Sequence, residues 1–275
     1  MQLLLGFLIA VLIAFGAYRA RSLSRSGAYA AVIVGTLVFG VGGWQWALLL
    51  LAFFITSSAL SRSFRKRKAG LDEKFSKGSR RDAGQVFGNG ALAALFAGLH
   101  FFYPDAAWVW VGFAGSLAAV NADTWATELG VLNPHPPRML TNPGREVEKG
   151  TSGAVSLTGT LAALAGAALI GVLAVWIAPY PASWRVGVAV AAAGLLGSLF
   201  DSFLGATVQA IYYCPVCKKE TEHHPLHNCA VPEGGTSSFG DGTATTLLRG
   251  WPWLDNDLVN LSCGLFGMLA ALLLA

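Results

Sequence analysis

Apolar residues run along the chain in long blocks broken by short polar gaps, with little of the strict alternation of a half-buried strand. Blocks suited to crossing a bilayer fall at about 2–18, 27–42, 44–60, 84–103, 107–126, 153–178, 184–211 and 258–275. The pattern predicts eight helices, several a little short of the ~20 residues a span needs. The expected architecture is an all-α, polytopic membrane helical bundle forming one integral domain over 1–275, with a cytoplasmic loop at 212–256. The first block lacks a basic start and an A-x-A-like cleavage site, which fits a retained helix better than a removed signal peptide.

Composition agrees with the pattern. Of 275 residues 54% are hydrophobic and 12% charged, with a mean hydropathy of +0.55. Soluble domains carry about 25% charge, so an ordinary cytosolic globule is excluded. The net charge of +4 does not point to nucleic acid, because the basic residues sit in the gaps between apolar blocks and form no stripe with interleaved aromatics. Three of the 19 Lys and Arg follow the first block, nine lie in 61–83, three in 129–152 and three in 212–257, leaving only Arg185 elsewhere. By the positive-inside rule these four loops are cytoplasmic and both termini face outward. Trp108, Trp110, Trp251 and Trp253, near span ends, fit interfacial anchoring. Glycines in the sixth and seventh blocks, such as Gly171 and Gly197, fit close helix packing.

An ionised side chain inside hydrocarbon costs on the order of 3 kcal/mol or more, so acids within spans are functional candidates. Asp123 and Glu128 fall at the inner end of the fifth span, Asp201 interrupts the seventh and Asp257 opens the eighth. Asn121, Thr124, Ser202, Gln209, Asn256 and Asn260 lie at the same level, which predicts a shared polar cavity; separate ion pairs holding the bundle together are the other reading. Arg81, Gln85 and Asn89, at i, i+4 and i+8, share one face of the fourth helix, with Arg81 at its mouth ready to receive an anion. Arg145 precedes Lys149-Gly150-Thr151-Ser152-Gly153, which runs into the sixth block and offers a helix start with amides, hydroxyls and a point charge for phosphate. Acidic oxygens suit Mg2+, which favours carboxylates plus substrate phosphate, so the natural ligand is a metal-bound nucleotide or a lipid phosphate.

Cys214-Pro-Val-Cys217 followed by His223, His224, His227 and Cys229 has the ligand types of a structural zinc site. A Cys3His site of Cys214, Cys217, Cys229 and His227 is one reading; free cytosolic thiols or a redox pair are the others. Cys263 lies in the last span and reads as a packing residue.

Four ordered motifs carry a resemblance: Asn121-Ala-Asp-Thr-Trp-Ala-Thr-Glu-Leu-Gly130, Glu148-Lys-Gly-Thr-Ser-Gly153, Gly197-Ser-Leu-Phe-Asp-Ser-Phe-Leu-Gly-Ala-Thr207 and Asn256-Asp-Leu-Val-Asn260. The chain resembles the membrane-protein family, long of unknown function, that includes the phytyl-phosphate kinase of tocopherol synthesis. That family is distantly similar to CTP-using membrane enzymes, namely phytol and dolichol kinases and phosphatidate cytidylyltransferase. The resemblance implies a CTP-dependent, Mg2+-assisted reaction at a prenyl phosphate. It makes Asp123 and Asp201 the metal carboxylates, Glu128 a base or an orienting group, and Lys149, Gly150 and Thr151, with Ser152 beside them, the phosphate cradle. Arg81 and Arg145 would neutralise further phosphate charge, and Asn256, Asp257 and Asn260 would close the cavity. The expected activity is transfer of the γ-phosphoryl of CTP, or another nucleoside triphosphate, to an isoprenyl monophosphate. A cytidylyltransferase forming a CDP-lipid and a proton- or cation-coupled transporter are the alternatives.

Overall fold

A computed structural model describes residues 1–68, 80–227 and 242–275 of the chain. Eight α-helices appear among the described residues: α1 (Gln2–Arg19), α2 (Arg25–Leu37), α3 (Trp44–Lys68), α4 (Ala83–Phe102), α5 (Ala107–Gly130), α6 (Leu157–Trp176), α7 (Trp184–Thr207) and α8 (Asn256–Leu274). Their ends follow from local chemistry. Ser24, Asp82, Ser156 and Asp255 each accept a hydrogen bond from a first-turn amide, and Asp82 with Gln85 completes a reciprocal capping box. A π-helical turn, Val38–Gly42, extends α2, and Gly43 then takes φ +89, a conformation that side chains with a Cβ resist, to reverse the chain into α3.

Among the described residues seven helices are long and apolar enough to cross a membrane, α2 counting together with its π turn. The exception is α5, and the reason is its position. It is buried without interruption from Val109 to Ala122, packed by α3, α4, α6, α7 and α8, so its composition answers to protein neighbours. The helix bundle is thus as expected, with one member set by packing in place of lipid. Close approach relies on small residues: a Cβ on Gly197 of α7 would lie 2.5 Å from the Ala119 Cβ of α5. Trp110 departs from the interfacial reading. It is 1% exposed and its indole N–H donates to the Ala174 carbonyl at 2.9 Å, because α6 covers the α5 face it occupies.

The loops carry short strands that the helical pattern did not foreshadow. Between α5 and α6, β1 (Arg138–Met139), β2 (Asn142–Glu146) and β3 (Ala154–Val155) form an antiparallel sheet in the order β2-β1-β3. Between α7 and α8, β4 (Ile211–Cys214), β5 (Lys219–Thr221) and β8 (Thr246–Arg249) form a second, ordered β5-β4-β8, while β6 (Leu226–His227) pairs with β7 (Thr243–Ala244). The α1–α2 loop is zipped to the segment before α4: Ser24 N–H donates to Arg81 O at 2.9 Å and Arg81 N–H to Ser22 O at 3.0 Å. The α1–α2 loop and the segment before α4 therefore meet at one end of the bundle.

Candidate active site

That end encloses a cavity of about 290 Å³ with walls from α4, α5, α6, α7, α8 and the α5–α6 loop. Asp123, Thr124 and Glu128 reach it from the last turns of α5, Asp201 and Ser202 from α7, and Asn256 and Asn260 from the first turn of α8. Asp123 and Asp201 come close enough for their charges to repel, and Glu222 adds a third negative charge beside Asp201. Glu128 is 8% exposed; Ser61 donates a 2.8 Å hydrogen bond to it, and Arg81 is its cationic neighbour. Thr124 donates to Val120 O, and Asn260 to Asn256 O, so helix carbonyls fix both side chains.

Arg81, Gln85 and Asn89 do share one wall, but Arg81 lies outside the helix. Asp82 is the N-cap, and Gln85 is the third helical residue, its side chain accepting from the Asp82 amide at 3.2 Å. Arg81 donates to Ser58 Oγ at 2.9 Å, and its guanidinium lies over the rings of Phe53 and Phe54, 5.8 and 5.7 Å from their centroids. Burial brings its pKa down to about 10 while the Glu128 charge holds it up, so it stays cationic at neutral pH.

The Lys149–Gly153 segment also lines the cavity, but not as a helix start. Ser156 is the cap of α6, and β3 intervenes, so residues 149–153 are a turn. Lys149 donates to the carbonyls of Val131 at 3.0 Å and Asn133 at 2.6 Å, tying the turn to the end of α5. Ser152 Oγ donates to Gln209 Oε1 at 2.5 Å, and Gly153, at φ +82, lies so close to the Ala206 backbone that no side chain would fit. Gly150 and Thr151 complete this wall. Arg249 clamps it, donating to Gly205 O at 2.6 Å and Ser152 O at 3.3 Å.

Three expected members lie elsewhere. Asn121 is wholly buried above the cavity; it donates to Gly166 O at 2.8 Å and accepts from Thr56 and Ser57 at 3.3 Å, so its amide joins α3, α5 and α6 and is not presented to a ligand. Arg145 is exposed on β2, the edge strand of its sheet, and is not among the residues of the cavity wall. Asp257 is not on the cavity wall; one helix position from Asn256 turns it toward α4, where its carbonyl packs on Gly88. Gln209 lines the cavity as expected, whereas Ser61, Ser156 and Glu222 line it unexpectedly. Glu222 arrives only because β5 folds back on β4, bringing its carboxylate to accept from Gln209 Nε2 at 3.0 Å.

Cys214, Cys217 and His227 gather beside this hairpin with their ligand atoms within 4.8 Å of one another, the only such group of three among the described residues. Cys229 lies outside the described residues.

A second, apolar cavity of about 250 Å³ lies between α1, α2, α3 and α4, with Ile13, Ala31, Ala47 and Leu51 among its walls. Arg81, Gln85 and Asn89 line both cavities.

A helix bundle with an acidic chamber at one end and an apolar groove sharing part of its wall is that of an integral membrane protein. The chain belongs to the family described as Integral membrane protein DUF92, which matches it over residues 8–268. It is 35% identical over 240 residues to Protein PGR of Arabidopsis thaliana, covering 79% of this chain and 83% of that one. It is 34% identical over 207 residues to an uncharacterized membrane protein of Methanocaldococcus jannaschii, covering 74% and 82%. To Protein VTE6, chloroplastic, of Arabidopsis thaliana it is 30% identical over 196 residues, covering 68% of this chain and 56% of the relative. No solved structure matches the chain.

Proposed function

We propose that this protein transfers the γ-phosphoryl group of CTP, or another nucleoside triphosphate, to an isoprenyl monophosphate, giving the diphosphate. The observation that carries the reading is the shared wall: Arg81, Gln85 and Asn89 face the polar chamber on one side and the apolar groove on the other. A lipid tail in the groove brings its phosphate to Arg81, opposite the acids and the Lys149–Gly153 turn. The likeness to Protein VTE6 and the motif resemblance to the family that includes phytyl-phosphate kinase support the same reading.

In the transfer, an acceptor phosphate oxygen bonds to the γ-phosphorus and the bond from that phosphorus to the bridging β,γ-oxygen breaks, leaving a prenyl diphosphate and CDP. The acceptor is already an anion, so the step needs positioning and charge neutralisation more than a strong base. Arg81 neutralises acceptor charge and stays protonated, while Glu128 orients Arg81 and Ser61. Asn256 and Asn260 add amide groups on the α8 side. Mg2+ fits the donor set: two carboxylates that repel each other in one chamber, with hydroxyls alongside, suit a hard divalent ion that takes its remaining oxygens from phosphate and water. When bound by Asp123 and Asp201 it would neutralise charge on the nucleotide phosphates. The positive-inside rule, applied to the basic loops, supports a cytoplasmic orientation for this end of the bundle.

The test is incubation of purified protein with Mg2+, γ-labelled CTP and a panel of prenyl phosphates and alcohols. Label in a lipid diphosphate, with CDP formed, is the expected result. Unlabelled CDP-lipid with labelled pyrophosphate would replace the kinase by a cytidylyltransferase. Transfer to alcohols alone would overturn the acceptor assignment, and no transfer from any donor would overturn the kinase.

A further inference from the structure

The cysteine hairpin has its own chemistry, independent of the kinase reading. Cys214 ends β4 and is wholly buried; Cys217 lies in the turn, which closes through Lys218 N–H donating to Cys214 O at 2.9 Å, with Lys218 at φ +56. The turn aims the backbone amides of Cys217 and Val216 at the Cys214 sulfur.

His227 comes from β6, ten residues on, and is 1% exposed. Its Nδ1 lies 3.7 Å from Cys217 Sγ, and its Nε2 has no hydrogen-bond partner among the described residues. Bonds of about 2.3 Å from zinc to sulfur and about 2.0 Å to nitrogen, at a tetrahedral angle, separate the two ligand atoms by roughly 3.6 Å. The observed spacing matches. The surroundings hold the ring in place: His223 stacks on it at 5.1 Å, while His224 stacks on Tyr212 of β4 at 4.3 Å.

We propose that Cys214, Cys217 and His227 hold a zinc ion that clamps the β4–β5 hairpin and so fixes Gln209 and Glu222 at the edge of the polar chamber. Gln209 precedes β4 and Glu222 follows β5, and the two bond to each other and, through Gln209, to Ser152. The ion is structural: both residues it positions lie outside its own shell, and the zinc carries no part of the reaction.

Metal analysis of untagged, detergent-purified protein tests this. Zinc is expected at one equivalent per chain, lost in Cys214→Ser, Cys217→Ser and His227→Ala and retained in Cys263→Ser. Should the variants fail to fold, cobalt(II) exchanged into the wild-type chain is expected to show tetrahedral d–d bands with thiolate charge transfer. Hydrogen exchange is expected to rise over 211–227 when a chelator removes the metal. Substoichiometric zinc without cobalt bands, a Cys214–Cys217 disulfide in the intact mass, or unchanged exchange after metal removal would each overturn the proposal.

Discussion

Replacing Arg81 by Gln removes the one side chain described above that both neutralises charge and touches each cavity. In water a charge pair at 4 Å is worth about 1 kcal/mol, but in partly buried surroundings about 4 kcal/mol. Arg81 is only partly exposed, backed by the Phe53 and Phe54 rings and held by Ser58. Loss of its charge toward a bound phosphate should therefore cost about 2–4 kcal/mol, roughly a 30- to 1,000-fold rise in Kd. An uncharged prenyl alcohol of the same length should lose no more than about tenfold, since it forfeits at most a hydrogen bond of about 0.5–1.5 kcal/mol. Arg81→Lys keeps the charge without the planar fork and should fall between. The assay is titration of the detergent-solubilised protein with each ligand, followed by intrinsic fluorescence, with melting temperatures as a folding control. Equal weakening for phosphate and alcohol in a folded variant would refute the role given to Arg81.

Asp201→Asn removes one of the mutually repelling acids, so the metal-free protein should melt a few degrees higher, corresponding to about 1 kcal/mol, while phosphoryl transfer falls at least about 100-fold; differential scanning fluorimetry and initial rates together check it. Ala47→Trp fills the groove about 10 Å along α3 from Phe54, so long acceptors should lose about 5- to 150-fold in kcat/KM through overpacking of 1–3 kcal/mol, whereas short ones keep theirs. Asn121→Ala should lower stability by about 1–3 kcal/mol with little change in the kcat of the surviving folded protein, because its amide is spent on helix contacts.

Spans and acids were legible because a bilayer penalises charge: Asp123, Glu128 and Asp201 stand out against apolar blocks, and all three reach one chamber. The period of Arg81, Gln85 and Asn89 was equally readable, although the Asp82 cap places Arg81 one residue before the helix. Asn121 misled because a polar side chain between spans is as readily satisfied by a neighbouring helix carbonyl as by a ligand, and Gly166 O is invisible in one dimension. The turn at 149–153 was mistaken for a helix start because several residues there could cap, and Ser156, four residues beyond Ser152, does. Glu222 had no local signal at all, since the pairing of β5 with β4 decides where it goes.

The groove among α1 to α4 has one further consequence for a hydrophobic substrate. Drawing a twenty-carbon chain out of the bilayer into water costs about 0.8 kcal/mol per CH2, on the order of 16 kcal/mol in all, and a soluble catalyst would have to meet that toll on each turnover. A lipid tail bound in the groove as proposed would exchange one oily neighbour for another of similar polarity. Only the headgroup would change surroundings, so a phosphorylated product would leave sideways into the leaflet from which its precursor came.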